Sequence, residues 1–294
     1  MKNKIKITSL ILAVIMLLGV LTGCGSKNET VAVENDVVLP DWTSNLSEDG
    51  KAAVKDIISK GKIIVGTSAD YAPCEFHTEI DGEDTIVGYE IAYARYIAEQ
   101  FGVEAEVVDM SFENLIMSLS KGSFDMVIAA MSSTPERAMA VDFSDSYFTP
   151  GNSRALIRTE DADKFTDTDS LKGCKIITQK GTTLVEVANV LTSEENIVLL
   201  DKVQDEVSEL LGGKVDAVLV DYMTGIGYDA IHDDITSVEV ITNLELEKAQ
   251  RIAIQKGNSG FLEAVNYVIS TVSEDQLAQW IGESQQLAGI ADAS

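Results

Sequence analysis

Asp125-Met-Val-Ile-Ala-Ala-Met-Ser-Ser-Thr-Pro-Glu-Arg137, running on to Val141-Asp-Phe-Ser-Asp-Ser-Tyr-Phe148, is the stretch whose reading decides the fold. Residues 127–131 read as a buried strand, Thr134 as a helix N-cap and Pro135 as the first helical residue. Arg137 then sits about two positions into the helix, where a cation opposes the helix dipole at a cost of roughly 0.3–1 kcal/mol. A guanidinium in that place offers a planar, permanently charged fork suited to gripping a carboxylate. A surface arginine paired with Asp142 or Asp145 satisfies the same stretch, so both readings stand at this point.

Outward from this stretch, short apolar runs alternate with helical periods, which implies α/β architecture. Upstream, strands are expected at 63–65 and 107–108. A helix over 89–101 carries Ile91, Ala94, Ala98 and Phe101 on one face, and another opens at Ser111, carries Leu115, Ile116 and Leu119, and stops at Gly122. A second series follows Pro150-Gly151, with strands at 155–157, 175–178, 197–200 and 215–220 and helices at 182–191 and 203–211. A strand at 252–254 and helices at 261–272 and 275–281 complete the pattern. A further helix over 47–60, capped by Ser47 and stopped by Gly61, precedes it all. The length suits two lobes of ordinary size.

Lysines at 2, 4 and 6 precede an apolar run over 5–20 that ends in Leu21-Thr22-Gly23-Cys24, the layout of an export signal over 1–23. Leucine, two small residues and a cysteine at this point resemble the lipobox of bacterial lipoproteins. That resemblance implies a lipidated Cys24 anchoring the chain to the outer face of the cell membrane. A plain secretory signal or a membrane-spanning helix is the competing reading, for which the apolar run is short. Residues 25–45 are polar and aperiodic, as a spacer between lipid and domain would be.

The chain has 22 Lys and Arg against 48 Asp and Glu; without the three leader lysines the balance is 19 − 48 = −29. Nucleic acid is thereby excluded as a partner, and an anionic bilayer surface repels the globular part. Cys74 and Cys174 fall in different expected lobes and are read as two buried free thiols. His77 and His232 are isolated, so neither metal ligation nor a Ser-His-Asp arrangement can be argued, and no cofactor is implied.

Three further features gain meaning beside Arg137. Gly181-Thr182-Thr183 follows a strand and opens a helix, whose free N–H groups form an anion site or an ordinary helix start. Asp221 ends the apolar strand Ala217-Val-Leu-Val220, where open α/β sheets place ligands; it also suits a cap for a helix beginning near Tyr222. Tyr71 and Phe112 lie at junctions where aromatics sandwich a ligand stem or pack in a core.

Together these residues resemble the family 3 solute-binding proteins of ABC importers, which bind polar amino acids. The resemblance covers about residues 61–281. It is carried by Gly66-Thr67, Tyr71-Ala72-Pro73, Val87-Gly88-Tyr89-Glu90, Gly122-Ser-Phe-Asp-Met-Val127, Thr134-Pro-Glu-Arg137, Val141-Asp-Phe-Ser144, Leu171-Lys-Gly173, Gly181-Thr-Thr183 and Gly213-Lys-Val-Asp-Ala217, in the family's order and spacing. It implies a two-lobed type II periplasmic-binding-protein-like fold, with hinge strands near 147–153 and 244–250. Lobe 1 is then 60–149 plus 249–294, lobe 2 is 150–248, and 24–59 is spacer and short helix.

The resemblance further implies that Arg137 and the backbone at Ser132 and Thr183 hold a ligand α-carboxylate. Asp221 and the Ala130 carbonyl would hold its α-ammonium, and Tyr71 and Phe112 would flank its side chain. The physics agrees, because a buried zwitterion needs both charges matched. Thr182 and Ser133 are read as structural. Cys74 stands where the family generally has phenylalanine, Glu90 where aspartate is common, and Ala129-Ala130 where some binders of basic residues have serines.

The function expected is therefore a lipid-anchored, non-enzymatic and monomeric receptor that closes on a free amino acid and delivers it to ABC permease subunits. Ser68 and Gln179, carried over as side-chain pocket positions, are neutral, which points to a polar, uncharged ligand such as glutamine, with cystine as runner-up. Other classes share the scaffold. A sensor subunit would engage a signalling partner. A cyclohexadienyl dehydratase would need an acid of raised pKa beside the ligand, for which Glu75 is the candidate. A lytic transglycosylase would need a further catalytic domain after about residue 285.

Overall fold

The computed structural model describes residues 37–290; the export segment and Cys24 lie outside the described residues. Residues 41–45, expected as the end of a flexible spacer, instead form a 3-10 turn on the domain. Trp42 fixes it there, stacked on Tyr267 with ring centroids 5.2 Å apart and donating Nε1–H to the Gln100 carbonyl at 2.9 Å. One half-buried aromatic docks a polar segment that has no periodicity of its own.

The first part of the chain forms α1 (Glu48–Lys60), β1 (Lys62–Thr67), β2 (Asp70–Tyr71), β3 (Glu75–Ile80), β4 (Glu83–Val87), α2 (Tyr89–Gln100), β5 (Glu104–Asp109), α3 (Phe112–Ser120), β6 (Met126–Val127), α4 (Pro135–Ala140) and β7 (Val141–Phe148). The middle part forms β8 (Arg154–Arg158), β9 (Ile176–Gln179), α5 (Leu184–Leu191), β10 (Ile197–Leu200), α6 (Val203–Leu211), β11 (Ala217–Val220), α7 (Tyr222–Ile231) and β12 (Ile235–Glu239). The chain then returns through β13 (Gln250–Gln255), α8 (Ser259–Thr271) and α9 (Glu274–Leu287).

The local causes are those the sequence offers. In α1, Ser47 accepts from the Gly50 N–H, Glu48 and Asp49 occupy the first turn, Lys60 the last, and Gly61 takes the left-handed cap at φ 79°. In α4, Thr134 accepts from the Arg137 N–H and Pro135 opens the helix.

Each lobe is built on one five-stranded mixed sheet, in the orders β5-β1-β6-β13-β7 and β10-β9-β11-β8-β12. In both, three parallel strands are followed by an antiparallel pair. β9 and β11 are buried at every residue; β11 therefore reads as an unbroken apolar run, while β9 ends in the buried polar residues Thr178 and Gln179. Ile63, Val65, Ile252 and Phe261 lie in the core around the first sheet; Val187, Ala188 and Leu191 of α5 pack against the second. Each of these side chains except that of Ala188, taken fully out of water, contributes about 1.5–3 kcal/mol. The chain passes between the sheets at residues 149–153 and 240–249, and the two crossings are tied by the Val240 N–H to the Ser153 carbonyl at 2.8 Å.

Two elements differ from the reading of the sequence. The strand expected over 127–131 is paired only at Met126–Val127, and Ala130 turns left-handed at φ 47°. A third sheet, β2-β3-β4, was not foreseen. Its turn is Asp81-Gly82, both at positive φ (53° and 85°), the two-residue signature of a hairpin and present in the sequence all along.

Candidate functional site

A cleft of about 1050 Å³, counting the part open to solvent, lies between the lobes. The carboxyl ends of four parallel strands meet it: β1 leads to Ser68, β6 to Ala130, β9 ends in Gln179 and β11 leads to Asp221. Tyr71, Phe112, Ser132, Arg137 and Thr183 complete the nine positions singled out in the sequence, and all nine line this one cleft.

Arg137 makes no ion pair among the described residues. Asp142, its suggested surface partner, binds Lys256 at 2.7 Å and the Gly257 N–H at 2.7 Å. The guanidinium instead donates Nη1–H to the Ser132 carbonyl at 2.7 Å and Nη2–H to the Gly181 carbonyl of the opposite lobe at 2.9 Å, with its carbon 5.2 Å from the Phe112 ring centre. Burial pushes its pKa down to about 10 against the weaker pull of Glu136 and Glu186, so it stays charged. A half-buried cation held by carbonyl oxygens alone is electrostatically incomplete.

Asp221 is its counterpart. Its Oδ1 caps α7 by accepting from the Thr224 N–H at 2.9 Å, so the capping role foreseen as an alternative is real. Its Oδ2 is buried with no partner. Burial raises its pKa to about 6, which the hydrogen bonds from the start of α7 only partly offset. Tyr71 accepts from the Asp221 N–H at 2.7 Å, fixing this carboxylate from across the cleft.

Behind Ala130 lies a carboxyl pair. Glu90, fully buried, accepts from the Ala130 N–H at 2.7 Å and from the Tyr147 hydroxyl, which holds Ala130 in its strained conformation. Glu75 lines the cleft beside it and leaves one oxygen without a partner. Burial and the neighbouring carboxylates push Glu75 well above the usual range, and burial raises Glu90 to about 7.

Ser68 and Gln179 meet a group the sequence did not flag. Asp70, 6% exposed, accepts from the Ser68 hydroxyl at 3.1 Å, from the Gln179 amide at 3.2 Å and from the Val203 N–H at 2.8 Å. Thr182 donates its hydroxyl to the Gln179 carbonyl at 2.8 Å, a structural bond as expected. Cys74 is buried as anticipated, but Cys174 is half-buried; both are free. Among the described residues, no group of three or more His, Cys, Asp or Glu is placed to hold a metal, and no helix is long and apolar enough to cross a membrane.

Two α/β lobes around a cleft that presents an unpaired cation and an unpaired carboxylate define a two-lobed binding protein of the type II periplasmic fold. The chain belongs to the bacterial extracellular solute-binding proteins, family 3, whose model matches residues 63–283. It is 30% identical over 257 residues to the arginine-binding extracellular protein ArtP of Bacillus subtilis (strain 168), covering 87% of this chain and 88% of that protein. An amino acid ABC transporter substrate-binding protein from Streptococcus pneumoniae bound to L-arginine matches with a TM-score of 0.75 at 32% identity, over 80% of this chain and 98% of that one. An ancestral amino-acid-binding protein, described as a precursor of cyclohexadienyl dehydratase, matches with a TM-score of 0.70 at 27% identity, over 79% and 98% of the two chains.

Proposed function

We propose that this protein is the monomeric substrate-binding subunit of an ABC importer, which captures a free amino acid between its lobes and delivers it to a membrane permease. One observation carries the reading: Arg137 without an acid and Asp221 Oδ2 without a donor border the same cleft. An α-amino acid supplies both missing partners in one small molecule. Arg137 with the backbone at Ser132 and Thr183 takes the carboxylate. Asp221 and the Ala130 carbonyl take the ammonium, and Tyr71 and Phe112 flank the side chain.

In this reading lobe 1 is 60–149 plus 249–294, lobe 2 is 150–248, and closure about the crossings is favoured by the ligand's contacts to both. Cys24 carries the lipid that tethers the protein outside the membrane. The neutral pair Ser68 and Gln179 supports a polar, uncharged side chain, glutamine first.

Calorimetry of the refolded domain tests the clamp. Free amino acids should bind, while N-acetylated or α-amidated forms of the best ligand should lose at least about 100-fold, each leaving one buried charge unmatched. Equal binding of the blocked forms would refute it. A dehydratase-like enzyme is the second reading, favoured by Glu75, a carboxyl lining the cleft whose pKa burial raises, and by the ancestral neighbour. Turnover of a bound cyclohexadienyl acid, followed by mass spectrometry, would establish it in place of the receptor.

A further inference from the structure

Both hydrogens of the Gln179 amide nitrogen are consumed. One goes to the Asp201 carbonyl at 3.0 Å, and the other is shared by the two Asp70 oxygens at 3.3 and 3.2 Å. Turning the amide over would set its oxygen against these three acceptors, so the orientation is fixed by charge rather than by choice of rotamer. Gln179 has only its oxygen left to offer the cleft it lines. Ser68 is constrained alike, since its single hydrogen goes to Asp70 at 3.1 Å and only lone pairs remain.

From this we infer that Asp70, without touching the ligand, is a positioning residue that converts Ser68 and Gln179 into hydrogen-bond acceptors, so that the side-chain end of the cleft selects amino acids whose side chains carry hydrogen-bond donors. The inference rests on the amino-acid reading above and sharpens it: the criterion is the donor rather than the absence of charge. An amide or guanidinium tip satisfies these acceptors. A carboxylate or ester tip opposes them with acceptors of its own.

Asp70 is held for this task from both lobes. Its own strand neighbours Tyr71, its carboxylate takes the Val203 N–H at the start of α6, and it lies 6% exposed. Burial raises its pKa, and the three donors work against that shift by favouring the carboxylate.

The test compares L-glutamine, L-glutamate and γ-methyl L-glutamate, the last being neutral but without a side-chain donor. Affinities are measured by calorimetry in the refolded full-length domain and in Asp70→Asn, which is isosteric and lets the Gln179 amide turn over. The wild type should prefer glutamine to both others by at least about tenfold, the usual cost of an unmatched buried acceptor. In Asp70→Asn the ratio of glutamine to γ-methyl glutamate should fall by about tenfold, a change from which ligand size cancels.

An unchanged ratio in a folded variant that still binds glutamine, or a wild type that takes glutamate as tightly as glutamine, would overturn the inference. If Asp70→Asn does not fold or does not bind, Gln179→Leu decides: it should weaken glutamine by about tenfold and leave the methyl ester within about threefold, and equal loss for both would refute the role. Arginine as the tightest ligand would overturn the uncharged reading while agreeing with donor selection. A wild type that binds no free amino acid would overturn the receptor reading and this inference with it.

Discussion

Replacing Asp221 by asparagine should make the empty protein more stable and nearly abolish binding. The buried carboxylate has its pKa raised from 3.8 to about 6, so holding it ionised in the fold at pH 7.5 costs about 3 kcal/mol at roughly 1.4 kcal/mol per unit. The folded pKa lies above the unfolded one, so this penalty is complete above about pH 6 and vanishes as the pH falls toward 4. Asparagine is isosteric, keeps the oxygen that caps α7 and is as good a cap as aspartate. It still buries an amide, which leaves a net gain of roughly 1–3 kcal/mol, or about 2–10 °C in melting temperature for a chain of this size. The ligand ammonium would meet an NH₂ group instead of a charge, a loss of about 3–5 kcal/mol and hence at least about 100-fold in affinity. Differential scanning fluorimetry at pH 7.5 and 5, with calorimetry for affinity, reads both effects, and the stability gain should shrink at pH 5. A variant that melts lower at pH 7.5 while keeping wild-type affinity would refute both the assigned role and the electrostatic account of it.

Arg137→Ala should remain folded, since it breaks only two bonds to carbonyls, yet lose binding by at least about 100-fold in calorimetry; retained affinity would remove it from the clamp. Wild-type affinity should be flat above about pH 6 and fall by up to about tenfold per unit below it, as Asp221 takes up the proton that competes with the ligand ammonium; calorimetry from pH 8 to 5 shows the profile. Glu206, buried with both oxygens unpartnered and raised by burial to about 9, binds its proton more tightly folded than unfolded, so stability should fall between about pH 5 and 9, and melting of Glu206→Gln should be less pH-dependent. Cys24→Ala should release the protein from membranes into the soluble fraction, which fractionation and immunoblotting would show.

The helices were legible because their causes are local. Ser47 and Gly61 bound α1 through their own caps, and α6 has the expected limits 203–211 because its apolar spacing is uninterrupted. The end of β6 was not legible. An alanine gives no hint of a left-handed turn when the carboxylate that holds it, Glu90, is forty residues away in the chain. The order of short motifs pointed to Arg137 and Asp221, which line one cleft and form the proposed clamp, since both sit at strand and helix junctions of recognisable pattern. Asp70 escaped notice because it resembles any loop aspartate, and its meaning depends on Gln179 and Val203, donors from the other lobe. The hairpin at Asp81-Gly82 was readable, and only the weak alternation of its flanking strands concealed it.

Hydrogen bonds within the polypeptide join the lobes across the cleft, among them Asp70 with the Val203 N–H and the Gln179 amide, Arg137 with the Gly181 carbonyl, and the Asp221 N–H with the Tyr71 oxygen. In the proposed closure each of these bonds forms as the lobes come together, so part of the closing free energy resides in the polypeptide itself. Apparent affinity scales with the fraction of molecules already in the competent arrangement, and tightening of this kind acts chiefly on departure. The same bonds that sharpen capture from dilute surroundings therefore set how hard the permease must pull to empty the carrier. Loosening any one of them should exchange scavenging power for a faster handover.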